Sequence, residues 1–213
     1  MKPEIPRLRM FAGPHGSGKS SLNLVLPDKL KGVYLNPDEL EKQLKERPVL
    51  NLAPFNLLGK ASALWEIASQ SSIHAKRSAP LVAEATFPDD LTFDHTQVDS
   101  YPCSSLIEGM RKLLLDAGVS FTSETVVPHP SKVAFLLQAR DRAYCTYLYF
   151  IATEDPKINI SRVTNRVKKV GHPIPESKNR SRYYRSLDLL YDAIKSSDRA
   201  YLFDNSSDGS DHV

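Results

Sequence analysis

The stretch Gly13-Pro-His-Gly-Ser-Gly-Lys-Ser20 fits the phosphate-loop pattern G-x-x-x-x-G-K-[ST] at every fixed position. An apolar run, Leu8 to Ala12, precedes it and is typical of a buried strand, while Ser20 to Leu26 is typical of a helix. The loop glycines let consecutive backbone N–H groups turn toward one anion, next to the positive end of that helix. The sequence therefore predicts a nucleotide-binding loop between a strand and a helix.

Two side chains of this loop have the chemistry to act on a bound nucleotide. Lys19 can reach the β- and γ-phosphates, and the Ser20 hydroxyl is a ligand for Mg²⁺. The residues expected to bind ATP are the loop and the serine after it: Gly13, Pro14, His15, Gly16, Ser17, Gly18, Lys19, Ser20 and Ser21. A chance glycine-rich turn before a helix is the weaker interpretation, because it does not account for the complete match.

Composition sets the class of protein. The chain has 213 residues, 41% hydrophobic and 25% charged, which suits one soluble α/β domain carrying an insertion. It has no apolar run of membrane-spanning length and no signal peptide at its start, so we expect a cytoplasmic protein. Cys103 and Cys145 fit no metal-ligand spacing and are expected to be reduced thiols, which excludes zinc and disulfides.

Strand and helix patterns alternate along the chain. The predicted strands are 7–12, 33–36, 119–127, 144–152 and 199–203, and the predicted helices are 20–26, 37–47, 59–74, 104–117, 132–139, 156–169 and 176–196. The pattern predicts a single α/β domain over 1–213, with a doubly wound, mainly parallel five-stranded sheet of the P-loop NTPase or kinase type. Residues 48–103 are predicted to form a mixed helical and hairpin insertion that binds substrate or caps the fold, and 205–213 a loose tail.

Two acids stand where parallel strands are expected to end. Asp38 follows the second strand at the start of a helix, and Glu124 lies near the carboxyl end of the third. In parallel sheets that edge binds ligands, so both should face the phosphate loop. Asp38 suits a general base that accepts a hydroxyl proton, and Glu124 suits binding the substrate or ordering the metal through water. The alternatives are an acid complementing the helix dipole for Asp38 and an exposed strand residue for Glu124.

Positive charge is concentrated between 162 and 185. The net charge is only +3, but this segment carries eight Lys and Arg residues: Arg162, Arg166, Lys168, Lys169, Lys178, Arg180, Arg182 and Arg185. The segment suits a basic lid over transferring phosphates, a grip on nucleic acid, or a solvated helix face. Because its aromatic residues are only Tyr183 and Tyr184, it has no stacking pattern, which disfavours nucleic acid.

Four blocks in order resemble the zeta-toxin-like P-loop kinases. They are Gly13 to Ser21, Asn36-Pro-Asp38, Ser120 to Val126, and Arg162-Val…Arg166-Val…Gly171-His-Pro-Ile-Pro…Arg182-Tyr-Tyr-Arg-Ser-Leu187. The ending, Asp198-Arg-Ala…Phe-Asp-Asn-Ser206, fits as well. The likeness is to the stand-alone predicted ATPases of this group, and it spans the chain except the insertion.

The resemblance implies a kinase that uses Mg-ATP to phosphorylate a hydroxyl of a UDP-activated amino sugar such as UDP-N-acetylglucosamine. By that resemblance Lys19 binds phosphate, Asp38 is the general base and Glu124 binds the nucleotide sugar. Arg162 or Arg166, and Arg180 or Arg182, hold the γ-phosphate, and the choice within each pair stays open. Asp204 to Ser206 border the adenine.

Two other functions remain open on the sequence alone. One is a nucleotide-switched protein whose basic segment 162–185 binds nucleic acid or an acidic protein. The other is a bare ATPase or toxin-like protein that pairs with a small antitoxin-like partner.

Overall fold

The computed structural model describes residues 4–71, 83–87, 89–94, 98–127, 129–170 and 175–207, with 83–87 and 166–170 described as backbone. The strands are β1 (Arg7–Ala12), β2 (Val33–Leu35), β3 (Val49–Asn51), β4 (Ala83–Phe87), β5 (Asp90–Phe93), β6 (Phe121–Thr125), β7 (Cys145–Ala152) and β8 (Arg199–Asp204). The helices are α1 (Lys19–Val25), α2 (Asp28–Lys31), α3 (Pro37–Glu46), α4 (Ala61–Ser69), α5 (Ser100–Asp116), α6 (Pro130–Asp141), α7 (Pro156–Val170), α8 (Glu176–Asp188) and α9 (Leu190–Lys195). A 3₁₀ turn covers Ala53–Phe55.

The main sheet confirms the predicted α/β fold. Its five strands lie in the order β2-β6-β1-β7-β8, and the pairs β2 with β6, β1 with β7 and β7 with β8 are parallel. In β1, the middle strand, the apolar side chains of Leu8, Met10, Phe11 and Ala12 are fully buried. β6 is shorter than the predicted 119–127, and its register with the short β2 covers only Phe121 to Ser123.

A second, antiparallel sheet of order β3-β5-β4 lies in the predicted insertion. The hairpin predicted within 48–103 is confirmed by β4 and β5, whereas β3 was missed because three residues show no periodicity. Helix α4 packs against α5 at Gly109, where a Cβ atom would come within 2.7 Å of the Leu64 side chain. The half-buried Trp65 meets Phe93 edge to face, with ring centres 6.3 Å apart.

Two helices differ from prediction. Helix α5 begins at Ser100 rather than 104, because the Asp99 side chain accepts a hydrogen bond from Tyr101 N (2.7 Å) and Pro102 stands in the first turn, where proline is tolerated. The single helix predicted over 176–196 is two consecutive helices, α8 and α9, which meet at Leu189 (φ −88°, ψ −4°). Tyr191, at the start of α9, is 67% exposed.

The chain divides into two compact units. The first comprises Met1–Leu30 and Glu124–Val213, and the second comprises Lys31–Ser123, which includes the predicted insertion 48–103. Cys103 and Cys145 carry free thiols, and burial raises the pKa of the Cys103 thiol. Across the described part of the chain, every helix is too short or too polar to cross a membrane.

Part of the sequence prediction lies outside the described residues. This holds for residues 171–174, between the predicted helices 156–169 and 176–196, and for the side chain of Arg166. It also holds for 208–213 of the predicted tail, whereas Asn205 to Ser207 are anchored rather than loose: Asn205 N donates to Ala152 O at 2.8 Å.

Candidate nucleotide-binding site

Gly16 and Gly18 of the phosphate loop have a backbone conformation that other residues rarely adopt. Gly16 has φ +80°, and a Cβ atom there would lie 2.5 Å from Asn159 O. Gly18 has φ +95°, and a Cβ atom there would overlap the Asn205 side chain. Both conformations are left-handed and both places are filled, so a side chain at either position is excluded for two reasons.

Two asparagine amides hold the loop in this shape. Asn159 Nδ2 of α7 donates to His15 O (2.9 Å), and Asn205 Nδ2 after β8 donates to Ser17 O (2.9 Å). Asn159 is fully buried and accepts a hydrogen bond from the Thr153 hydroxyl, which fixes its orientation. The loop is thus pre-formed by side chains from the far end of the chain.

Lys19 and Ser17 face inward within the loop. Lys19 is 6% exposed, and its Nζ donates to Pro14 O at 2.9 Å. The Ser17 hydroxyl is fully buried, and its oxygen has no hydrogen-bond partner among the described residues. A buried polar atom without a partner is costly. The loop therefore fits an anion that would accept these donors.

Glu124 stands beside the loop serine. The Ser20 hydroxyl lies 3.4 Å from both carboxylate oxygens of Glu124, long for a hydroxyl–carboxylate hydrogen bond. Glu124 is only 8% exposed, so the alternative of an exposed strand residue is wrong. A hydroxyl and a carboxylate side by side form the oxygen-rich environment that Mg²⁺ prefers. Among the described residues there is no cluster of three or more His, Cys, Asp or Glu side chains suited to a metal.

The arginines predicted to hold phosphate have different surroundings. Arg182 Nη1 of α8 lies 2.8 Å from His15 Nε2 in the loop. Because guanidinium only donates, His15 Nε2 is the acceptor and carries no proton there. Arg180 instead pairs with Glu176 on its own helix (3.2 Å). Of this pair, the structure brings Arg182 to the loop.

Arg162 joins α7 to the segment after β8. Its guanidinium donates to Asn205 O at 2.8 Å and to Ser207 O at 3.3 Å. Because Asn205 also bonds to the loop, Arg162 supports the loop through that residue. A cavity of about 540 Å³ lies here, a size typical of small-molecule sites. It is lined by Lys157, Ile158, Ser161, Arg162, Asn165 and Ser206.

Asp38 lies in the second unit at the start of α3, as predicted. The Asn36 side chain caps this helix by accepting hydrogen bonds from Asp38 N (2.9 Å) and Glu39 N (3.4 Å). The Asp38 side chain is exposed on the first turn. At this position the carboxylate interacts favourably with the helix dipole and is also accessible to a ligand. The structure is therefore compatible with Asp38 as a general base and with Asp38 as an acid that complements the dipole.

Sequence reasoning missed Asn159, and it placed Asn205 at the adenine but did not predict its contact with the loop. Their amides act on residues at least 144 positions away, and no local pattern marks such a contact. His15 was included only as a loop position, and its contact with Arg182 depends on the tertiary fold.

Solved structures similar to this chain were found, but no protein-family profile and no curated protein matches its sequence. One is a chain of the PezAT chromosomal toxin–antitoxin system of Streptococcus pneumoniae, with a TM-score of 0.55 and 11% identity, covering 96% of this chain and 69% of that one. Another is a proposed kinase from Chloroflexus aurantiacus, with a TM-score of 0.50 and 11% identity, covering 95% and 90%. The chain therefore has the α/β fold of these two proteins, in agreement with the kinase-type fold predicted from its phosphate loop.

Proposed function

We propose that this protein is a kinase that transfers the γ-phosphoryl group of ATP to a hydroxyl of a small molecule. The observation that supports it most is the set of groups that meet at one loop. Lys19, the Ser20 hydroxyl beside Glu124, and Arg182 on His15 all belong to the first unit. Phosphoryl transfer needs positioned phosphates and compensation of their charge, and these residue types supply both.

Nucleotide binding uses groups that the loop already orients. Lys19 exchanges its hydrogen bond to Pro14 O for the β- and γ-phosphates, and the backbone N–H groups of the loop bind the same anion. The cavity beside Arg162 and Ser206 accepts the adenosine part. The fully buried Ser17 hydroxyl then gains an acceptor, which favours the bound state.

Charge at the reacting group is balanced by two kinds of residue. Ser20 and Glu124 would hold Mg²⁺, directly and through water respectively, and the metal supplies neutralisation of phosphate charge. Arg182 turns from His15 to the transferring group, where a guanidinium stabilises the charge that builds up. Arg162 and Arg166 remain candidates for a second contact.

The acceptor is a hydroxyl whose oxygen bonds to the γ-phosphorus while the bond from that phosphorus to the bridging oxygen of ADP breaks. Its proton moves to Asp38, and ADP leaves. The exposed carboxylate of Asp38, on a helix capped by Asn36, is fixed in backbone position and open to a substrate. The family resemblance favours a UDP-activated amino sugar such as UDP-N-acetylglucosamine, with Glu124 and Arg180 as further substrate-binding candidates.

A toxin-like role in a pair with an antitoxin-like protein is a second candidate. It is favoured by the likeness to a chain of the PezAT toxin–antitoxin system. Induced expression in a bacterial host tests it: growth arrest that Lys19→Ala abolishes supports the role, and unaffected growth at the same expression level contradicts it.

The kinase proposal is tested with Mg-ATP and a panel of UDP-sugars, free sugars and nucleosides, analysed by mass spectrometry. We expect one acceptor class to gain one phosphoryl group with the wild type and with Lys29→Ala, a matched change of an exposed lysine on α2. Lys19→Ala should form no product. Bound ATP without any modified acceptor would count against the proposal.

A further inference from the structure

One face of the main sheet is less covered than a doubly wound fold requires. In β7, Leu148 and Phe150 are buried (0% and 2% exposed), whereas Tyr147 and Tyr149 between them are half-buried. A strand inside a sheet with helices on both faces is normally buried on both. The side of β7 with the tyrosines is therefore partly exposed. On the same side, Arg9 and Phe11 of β1 are 5% and 0% exposed, whereas Arg199, Tyr201 and Phe203 of β8 are exposed, so this side is accessible toward β8.

The strand registers bring more residues onto this face. Tyr147 lies between Arg9 of β1 and Arg199 of β8, and Tyr149 lies between Phe11 and Tyr201. Side chains in register on parallel strands point to the same face. We call the set the aromatic–basic face: Arg7, Arg9, Tyr147, Tyr149, Arg199, Tyr201 and Phe203.

The aromatic rings and guanidinium groups of this face are ordered against each other. The guanidinium carbons of Arg9 and Arg199 lie 5.3 and 5.9 Å from the centre of the Tyr147 ring, one from each neighbouring strand. The Tyr149 and Tyr201 rings stack, with centres 5.0 Å apart and planes 21° from parallel. Such contacts hold the cations and rings in place before any ligand binds.

The stack ends at an accessible edge. Because β8 is the last strand of the sheet, one side of the Tyr201 ring packs on Tyr149 and the other side faces away from the sheet. Tyr201 and Phe203 are each 41% exposed. A further flat ring can therefore extend the stack at Tyr201, and a second can cover Phe203.

The charge of the face is positive. It carries two accessible arginines, Arg7 and Arg199, and a third, Arg9, that is 5% exposed. Among the described residues, the ion pair recorded for these arginines is that of Arg7 with Glu4 at 3.4 Å. A second copy of this chain would bring the same arginines against these, because a two-fold interface pairs a patch with itself. An acidic peptide would complement the charge and leave the exposed rings without planar partners.

We propose that the aromatic–basic face binds single-stranded nucleic acid. Bases stack on Tyr201 and Phe203, and backbone phosphates contact Arg199 and Arg7. The segment 162–185 is disfavoured for nucleic acid by its few aromatic residues, and the aromatic–basic face lies outside that segment. This face combines three strands that are far apart in the chain, so no local pattern indicates it. The proposal is independent of the kinase proposal, because it uses none of the loop residues.

Fluorescence anisotropy with a labelled 12-nucleotide single-stranded RNA tests the proposal. We expect Tyr201→Ala and Phe203→Ala each to weaken binding about 5- to 100-fold, since a stacked base contributes that much. Tyr201→Phe should bind like the wild type, because it keeps the ring. Arg199→Ala should reduce the slope of log K against log salt by about 0.7, as expected for one lost phosphate contact.

Two control variants show whether RNA binding depends on this face. Tyr191→Ala removes another exposed tyrosine, on α9, and Lys19→Ala disables the loop, and both should bind RNA normally. Thermal unfolding of each variant identifies any that fails to fold. Tyr201→Phe, which keeps the ring, is the variant against which the loss of binding in Tyr201→Ala is compared. Three results would overturn the proposal: no RNA binding at about 50 mM salt, where phosphate contacts are strong, equal binding of a poly-glutamate peptide, or a dimer in sedimentation that Tyr201→Ala dissociates.

Discussion

At the scale of single residues, Arg182 contacts the phosphate loop directly. Its guanidinium contacts His15 Nε2 at 2.8 Å, whereas Arg180 is paired with Glu176. We expect Arg182→Ala to lower kcat about 100- to 1,000-fold, as loss of one charge-stabilising group does. Arg180→Ala is the matched control and should stay close to wild type.

His15 should act through that arginine. Because its ring only orients Arg182, His15→Ala should lower kcat less than Arg182→Ala, and the double variant should be no worse than Arg182→Ala alone. Steady-state kinetics with the acceptor from the panel gives all three values. Fully additive losses, or a loss in Arg180→Ala equal to that in Arg182→Ala, would contradict the assignment.

A substitution of Asp38 tests whether this residue takes up the proton of the acceptor hydroxyl. Asp38→Asn keeps the shape of the side chain and its place in the helix capped by Asn36, but it cannot take up a proton. We expect kcat to fall about 100- to 10,000-fold while the KM for ATP is unchanged. Glu39→Gln, the neighbouring exposed acid on the same helical turn, is the control. A fully active Asp38→Asn enzyme would assign Asp38 to the helix dipole alone.

At the scale of elements, Asp198 connects the start of β8 to β7. Its carboxylate accepts hydrogen bonds from Thr146 N (2.7 Å) and Thr146 Oγ1 (2.9 Å), with Arg140 Nε at 3.4 Å. The backbone hydrogen bond from Thr146 is the largest cause that lowers the Asp198 pKa below its ordinary 3.8. Because this pKa is lowered, the ionised carboxylate stabilises the fold above pH 3.8. That stabilisation is lost as pH falls through the folded-state pKa.

Asp198→Asn should therefore lower Tm by about 2–4 °C at pH 7, which corresponds to about 1 kcal/mol for a chain of this size. The difference from wild type should shrink as pH falls from about 4 through the folded-state pKa of Asp198, because the wild-type carboxyl then takes up a proton as well. Thermal unfolding by circular dichroism from about pH 3 to pH 8 measures it, with exposed Asp192→Asn as control. A Tm difference that does not change with pH would contradict this assignment of Asp198.

The elements predicted from the sequence are those marked by a run of apolar residues or by a fixed motif. Strands β1, β2, β7 and β8 contain apolar runs, and the phosphate loop is a fixed pattern. The break at Leu189 and the three-residue β3 have no such pattern in the sequence. The same holds for the site: Lys19 and Ser20 are visible in sequence, whereas the amides of Asn159 and Asn205 act across the fold.

At the scale of the whole molecule, the loop and every contact described for it belong to the first unit, while Asp38 belongs to the second. Mg-ATP at about 100 times its Kd should stabilise the unit that binds it by about 2.7 kcal/mol. We expect an upward shift in Tm of about 5–10 °C, and none with Lys19→Ala. Differential scanning fluorimetry measures it, and an equal shift in both proteins would show that ATP binds elsewhere.

The central claim is phosphoryl transfer, and its most direct measurement is the mass of the acceptor after incubation with Mg-ATP. We predict that one class of hydroxyl-bearing small molecule becomes heavier by one phosphoryl group, with one ADP formed per product. Lys19→Ala and Asp38→Asn should leave the acceptor unchanged. An ATP-dependent Tm shift in a protein that modifies no member of the panel, or hydrolyses ATP without an acceptor, would contradict the claim.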